Sequence, residues 1–254
     1  MLLTPIPTEL LKEGSSISSS IVKGYDVKDG DIFAISAKAC AMTEGTVIDL
    51  SEITPSSQAK EWAALCGRDP AFRQAVMDET KRMNGTVVGS CPQAMLCELN
   101  PEGLEEGTIL AVNAGLDQSN VGEGLAIGWP KDPVATVKKL REEIEKETGK
   151  RIGIIITDSC CRPRRLGVVA MALTVCGFDP LISQIGKEDL FGHELTMTHE
   201  ATADQLATAA NFLMGNTDQS VPAVCIRDHC LEMTDFCGWV PGIERDEDLF
   251  RGMF

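Results

Sequence analysis

The sequence predicts a fold that mixes helices and strands, and three observations carry that prediction. Ile152-Gly-Ile-Ile-Ile-Thr157 is β-branched and apolar almost throughout, as a central strand covered on both faces should be. Just before it, Asp132-Pro133 opens a helix in which cap, first-turn proline, Val137, Leu140 and Ile144 at helical spacing, and Gly149 as a stop all agree. The composition, 43% hydrophobic and 24% charged over 254 residues, supplies enough apolar side chains for a packed core.

The other elements can be justified in chain order. Residues 31–36 come after a Lys-Asp-Gly turn and read as a buried strand, and residues 46–50 read as another. Residues 57–65 and 70–83 read as helices, the second with Asp69 as N-cap and Pro70 at the first helical position. Residues 108–112 are strand-like and run into the polar turn 113–120. The central strand ends in Asp158, and residues 166–173 form the next strand-like run. Residues 201–214 give a helix with Leu206, Ala209, Ala210 and Leu213 on one side, residues 222–226 close as a strand, and residues 246–251 are an exposed tail or docking arm. No repeat, low-complexity tract or linker divides the chain, which reads as a single domain over 1–254.

Charge and spacing exclude several functions. With 23 Lys+Arg against 38 Asp+Glu the net charge is −15, whereas a nucleic-acid binder needs a basic face to displace counterions. The longest nearly apolar stretch, 166–178, is broken by Thr174 and falls short of the roughly 20 residues that cross a membrane. No basic, then apolar leader opens the chain, so a cytoplasmic location is expected. The ten cysteines have no C-x-x-C spacing and predict thiols rather than disulfides; vicinal Cys160-Cys161 stands apart as a candidate redox pair. A P-loop is absent, residues 122–128 miss G-x-G-x-x-G by one position, and the three scattered histidines suit packing or surface roles.

Chemistry concentrates in two places. Asp117 and Asp158 stand in polar turns after buried strands, each with a serine hydroxyl nearby, Ser119 and Ser159, a donor set for a hard cation such as magnesium or manganese. The structural alternative is that Asp117 shapes an Asx turn and Asp158 caps the next helix or turn. Arg162, Arg164 and Arg165 then crowd one loop of an acidic protein, and their planar forks suit carboxylate or phosphate, unless they serve to neutralise the protein's own acids.

Eight segments in this order resemble the coenzyme F-420 γ-glutamyl ligase family along nearly the whole chain. They are Asn113-Ala-Gly-Leu-Asp117-Gln-Ser-Asn120, Pro130-Lys-Asp132-Pro133, Ile155-Ile-Thr-Asp158-Ser159, Arg162-Pro163-Arg164-Arg165-Leu-Gly167, Asp189-Leu-Phe-Gly192-His-Glu194-Leu195, Ala203-Asp204-Gln-Leu-Ala207, Met214-Gly215-Asn216 and Asp248-Leu-Phe250-Arg251. The resemblance implies an α+β fold, with mixed and antiparallel sheets flanked by helices in two intertwined subdomains, and a homodimer. It implies a ligase that attaches L-glutamate to an anionic carboxylate acceptor, a deazaflavin phospholactate, with GTP as co-substrate and Mg²⁺ or Mn²⁺ as cofactor. Asp117, Asp158, Ser159 and Asn216 match the metal positions, while Lys38, Asn120, Met214, Gly215 and Asn216 match nucleotide contacts. Arg162 and Arg165 match positions that would hold phosphate or a substrate carboxylate.

The departures are specific. Serine replaces the usual threonine at 159, asparagine the usual glutamine at 216, and Cys160-Cys161 a pair ending in glycine. The family's Ser-Lys before Glu44-Gly45 is replaced by Met42-Thr43 or, by strict spacing, Ala41-Met42. Pro7-Thr8-Glu9 is a faint echo of the N-terminal nucleotide segment, and Ser183-Gln-Ile-Gly186 lacks the acid and arginine before the family's glycine. A ligase for another acceptor, such as a folate or pterin glutamate, and a non-catalytic nucleotide- or metal-binding paralogue are the alternative readings.

Overall fold

A computed structural model describes residues 1–253. Strand β1 (Leu2–Ile6) leads through α1 (Ile17–Gly24) to β2 (Ile32–Ser36), α2 (Ala37–Thr43) and the short β3 (Ile48–Asp49). Helices α3 (Ser57–Cys66) and α4 (Pro70–Arg82) precede a meander of β4 (Thr86–Cys91), β5 (Ala94–Leu99) and β6 (Ile109–Val112). Then come β7 (Leu125–Ala126), α5 (Pro133–Thr148), β8 (Gly153–Cys161), β9 (Val168–Phe178), β10 (Ile182–Ser183), β11 (His199–Glu200), α6 (Thr202–Met214), β12 (Ala223–Arg227) and β13 (Met233–Trp239).

The main sheet has the order β1-β12-β2-β8-β9-β13, and only β2 and β8 run parallel. Both of its faces are covered, and the strands show it residue by residue. In β2, Phe33 and Ile35 face the core under α1 and α5, while Ile32 and Ala34 face α6; β8 repeats this with Ile154 and Ile156 on one side and Ile155 on the other. Each such buried Ile or Phe side chain contributes about 2 kcal/mol of burial free energy. The architecture is therefore α+β with mixed and antiparallel sheets, as expected. The three-stranded β4-β5-β6 sheet packs beside it where β6 meets β8.

Local chemistry accounts for the helices. Asp132 accepts from Ala135 N and Gly149 ends α5 in the left-handed region at φ 66°. Ser36 closes β2 and caps α2, which fixes Lys38 in that helix's first turn.

Three expectations need correction. Asp158 is not in a turn: β8 runs on to Cys161 because its second half pairs with β9, from Thr157 opposite Ala172 to Cys161 opposite Val168. The strand expected at 46–50 shrinks to Ile48–Asp49, since Asp49 accepts from Ser51 N and turns the chain into a 3-10 segment. Cysteine spacing predicts thiols throughout, yet Cys176 and Cys237, register partners on β9 and β13, are joined as a disulfide. Cys160 and Cys161 remain free, and as neighbours in an extended strand they point to opposite faces.

Candidate active site

Lys38, Asp117, Asn120, Asp158, Ser159, Met214, Gly215 and Asn216 all line one cavity of about 380 Å³. They arrive from the first turn of α2, the turn after β6, the second half of β8 and the end of α6. The main-chain N–H and C=O of Asp117 both pair with Ile127, at 2.8 and 2.9 Å, so its carboxylate is held after the turn beyond β6. One carboxylate oxygen accepts from Gln118 N and Ser119 N, at 2.7 and 3.1 Å, and the other accepts from Lys38 Nζ at 2.6 Å and from the Ser119 hydroxyl. The Asx geometry and the cavity-facing position therefore coexist in one residue.

Burial alone would raise the Asp117 carboxyl, but hydrogen bonds from Lys38 and Ser119 and the Lys38 charge hold it well below the usual carboxylate range. Asp158 behaves in the opposite way. Burial pushes its carboxyl up, the Trp129 indole at 2.7 Å and the Ser159 N–H at 2.8 Å pull it down only partly, and the Asp117 charge adds to the rise. Among the described residues no Lys, Arg or His forms an ion pair with Asp158.

Asn120 reaches across the mouth. At φ 56° it occupies the left-handed region that Asn tolerates, and its Nδ2 donates to Thr217 O at 2.9 Å in the loop after α6. Gly215 must lack a side chain there, because φ is 69° and a Cβ would fall 2.4 Å from Gln219 Oε1. That Gln219 in turn accepts from Thr217 N at 2.9 Å and fixes the loop.

Thr8 and Glu9 also line the cavity, and Thr8 N donates to Ser220 O at 3.0 Å. The faint N-terminal echo is thus part of the wall. Met42 lines it too, one helical turn beyond Lys38, so an apolar side chain stands near the place where the family pattern carries a second lysine. Arg162 instead lines a smaller cavity of about 170 Å³, which shares Asp158 and Ser159 with the larger one. Arg165 lines neither; it lies in the exposed connection between β8 and β9, where its N–H donates to Arg162 O at 3.2 Å.

Two contributors escaped sequence reasoning. Trp129 carries no motif beyond its place before Pro130, and Arg73 looks like one more charged residue on a helix. Their partners are visible only in three dimensions.

Asp117, Asp158, Ser159 and Asn216 all line the cavity with hard oxygens, and a half-buried carboxylate without an ion-pair partner among the described residues is one of them. Mg²⁺ and Mn²⁺ are commonly held by one or two carboxylates, with substrate phosphates completing the shell, and the donor chemistry fits. Among the described residues no three His, Cys, Asp or Glu cluster into a self-sufficient metal cage. Such a site would depend on its substrate.

The fold and cavity define a class, and comparison with known proteins gives it a name: a family model described as F420-0:gamma-glutamyl ligase matches residues 5–228, and the chain belongs to that family. It is similar along its length to proteins named coenzyme F420:L-glutamate ligase. That of Methanocaldococcus jannaschii is 38% identical over 243 residues, covering 95% of this chain and 93% of the relative. That of Methanothermobacter thermautotrophicus is 34% identical, covering 90% and 88%, and that of Archaeoglobus fulgidus is 38% identical, covering 86% and 83%.

Proposed function

We propose that this chain is a cytoplasmic, GTP- and divalent-metal-dependent ligase that joins the amine of L-glutamate by an amide bond to the carboxylate of a deazaflavin coenzyme F-420 precursor. The observation that carries the reading is the convergence of Lys38, Asp117, Asn120, Asp158 and Asn216 on one cavity in a member of this family.

In this reading the bond from the terminal phosphorus to the nucleoside diphosphate breaks as an acceptor carboxylate oxygen bonds to that phosphorus. The glutamate amine then attacks the acyl carbon, loses a proton and expels inorganic phosphate with its bonding pair. A bound Mg²⁺ or Mn²⁺ supplies charge neutralisation for the triphosphate and the transferring group. Asp117, Asp158, Ser159 and Asn216 would hold it. Lys38, 2.9 Å from Ser119 Oγ, is the chain's own cation in the cavity and attracts the polyphosphate. Asn120 and the 214–217 loop, tied to each other, close around the nucleotide. A homodimer is part of the proposal: Leu190, Phe191 and Met197 project from the 182–200 arm almost fully exposed, as contacts awaiting a second copy would.

Thermal shift tests the core of this reading, because a ligand that binds only the folded state raises its stability by mass action. GTP with Mn²⁺ or Mg²⁺ should raise Tm, and nucleotide without metal should raise it much less. Asp158→Asn should abolish glutamyl transfer while leaving the unliganded Tm within about 2 °C. Full turnover of Asp158→Asn at limiting metal would remove Asp158 from the site.

A further inference from the structure

The two carboxylates of the larger cavity differ in how much of each is already taken. Gln118 N, Ser119 N, the Ser119 hydroxyl and Lys38 Nζ all donate to Asp117, and an ionised carboxylate offers about four acceptor positions, so its capacity is filled. Asp158 accepts only from Trp129 Nε1 and Ser159 N among the described residues, one on each oxygen. About half of its acceptor positions stay open.

Lys38 is filled in the same way. The protons of its ammonium go to Asp117 Oδ2 at 2.6 Å, Ser119 Oγ at 2.9 Å and Ser119 O at 3.2 Å, which uses every donor a lysine has. Ammonium and carboxylate thus close on each other, and neither can serve a ligand fully without leaving the other. The lining of the cavity makes that exchange necessary. Glu9, Asp117, Asp158 and Asp218 stand there against Lys38, the only lysine or arginine among the described lining residues, and Met42 is near the place where a second lysine would share its task. A triphosphate draws on the one ammonium, while a divalent cation draws on the carboxylates. One movement of a flexible side chain, 26% exposed, meets both demands.

We propose that Lys38 is an exchanging latch on Asp117: nucleotide phosphates draw its ammonium off, and Asp117 then joins Asp158 as a ligand of the divalent cation. The inference rests on the metal-dependent ligase reading and deepens it. Asp158 becomes the standing ligand and Asp117 the conditional one, with Lys38 a positioning residue as well as a phosphate contact. Nucleotide and cation then favour each other's binding, since each takes up a group that the other must displace.

Mn²⁺ alone, titrated into the full chain and followed by the paramagnetic resonance of the free ion, tests the latch in a double-mutant cycle of Lys38→Met and Asp117→Asn. Lys38→Met should tighten Mn²⁺ binding, because Asp117 is released. Loss of a positive charge would also tighten it, so the cycle decides. Asp117→Asn should weaken Mn²⁺ binding by a factor about fivefold or more larger in the Lys38→Met chain than in the unaltered one, whereas plain charge removal would give the same factor in both. Both side chains are partly exposed, and neither replacement should move the unliganded Tm appreciably. Equal factors overturn the latch and leave the ligase standing, as does undetectable binding of millimolar Mn²⁺ by Lys38→Met. If GTP with Mn²⁺ gives the unaltered chain no thermal shift, the metal-dependent reading falls and the latch with it.

Discussion

Arg73 lies inside α4, fully buried, and pairs with no carboxylate among the described residues. Its guanidinium donates instead to Cys66 O at 2.8 Å, Gly67 O at 3.0 Å and Asn113 Oδ1 at 2.9 Å. Asn113 Oδ1 also accepts from Met95 N at 3.0 Å. These bonds hold three successive left-handed residues, Asn113, Ala114 and Gly115, in the turn that delivers Asp117 and makes room for Trp129. Removing the guanidinium leaves buried acceptors without donors, so Arg73→Met should cost roughly 2–4 kcal/mol in urea denaturation, together with reduced glutamyl transfer. Tyr25 allows a cleaner reading of one group, because it is the only tyrosine in the chain. Burial, helped by the Cys225 thiol beside it, pushes its hydroxyl up to about 12. A raised acid stabilises the fold below its unfolded value of 10.0, and that contribution is lost as pH rises through about 12. Titrating the tyrosinate absorption band should give a midpoint near 12, and Tyr25→Phe should flatten the alkaline fall in Tm. A midpoint near 10 would place the ring in water.

At the scale of elements, a fully buried Asp31 joins the start of β2 to the end of β12. Arg227 meets both of its oxygens at 2.6 Å, and Lys28 N adds a third bond at 2.8 Å. Arg227→Met would strand a buried acid and should destabilise by about 3–5 kcal/mol; adding Asp31→Leu should restore most of that loss in a double-mutant cycle. Legibility of the elements in the sequence divides along similar lines. Helix α5 is legible because cap, periodicity and stop agree locally, and β8 begins where its isoleucines predict. Its continuation through Asp158-Ser-Cys-Cys161 is not legible, since those residues favour turns and are extended only by pairing with β9. The β4–β5 hairpin escapes for a related reason: its strands carry Gly89, Ser90, Met95 and Cys97 in place of a β-branched alternation. The cavity residues can be found because eight short motifs resemble one family, whereas Trp129 and Arg73 act through partners 29 and 40 positions away.

For the whole molecule, the covalent link between Cys176 and Cys237 closes a loop of 61 residues and ties β13 to β9. Its reduction should lower stability by about 4 kcal/mol on the chain-entropy account, and thiol titration of the denatured protein should rise from eight to ten groups with reductant. Ten thiols without reductant would show that the pair is open in solution. No described helix is long and apolar enough to cross a membrane. The proposed dimer gives a further check at this scale: Phe191→Asp should shift the mass measured by light scattering toward that of one chain.

The parallel pairing of β2 with β8 also sets the order in which this protein can come into being. Lys38 comes directly after β2 and Asp158 lies within β8, so neither faces the other until strands separated by more than a hundred residues have met. Closing a loop of that length is entropically slow, and no local contact rewards it in advance. Lys38 and Asp158 therefore come to face one cavity only once β2 and β8 have paired, and a chain arrested before that step would carry every motif of the site without its full geometry.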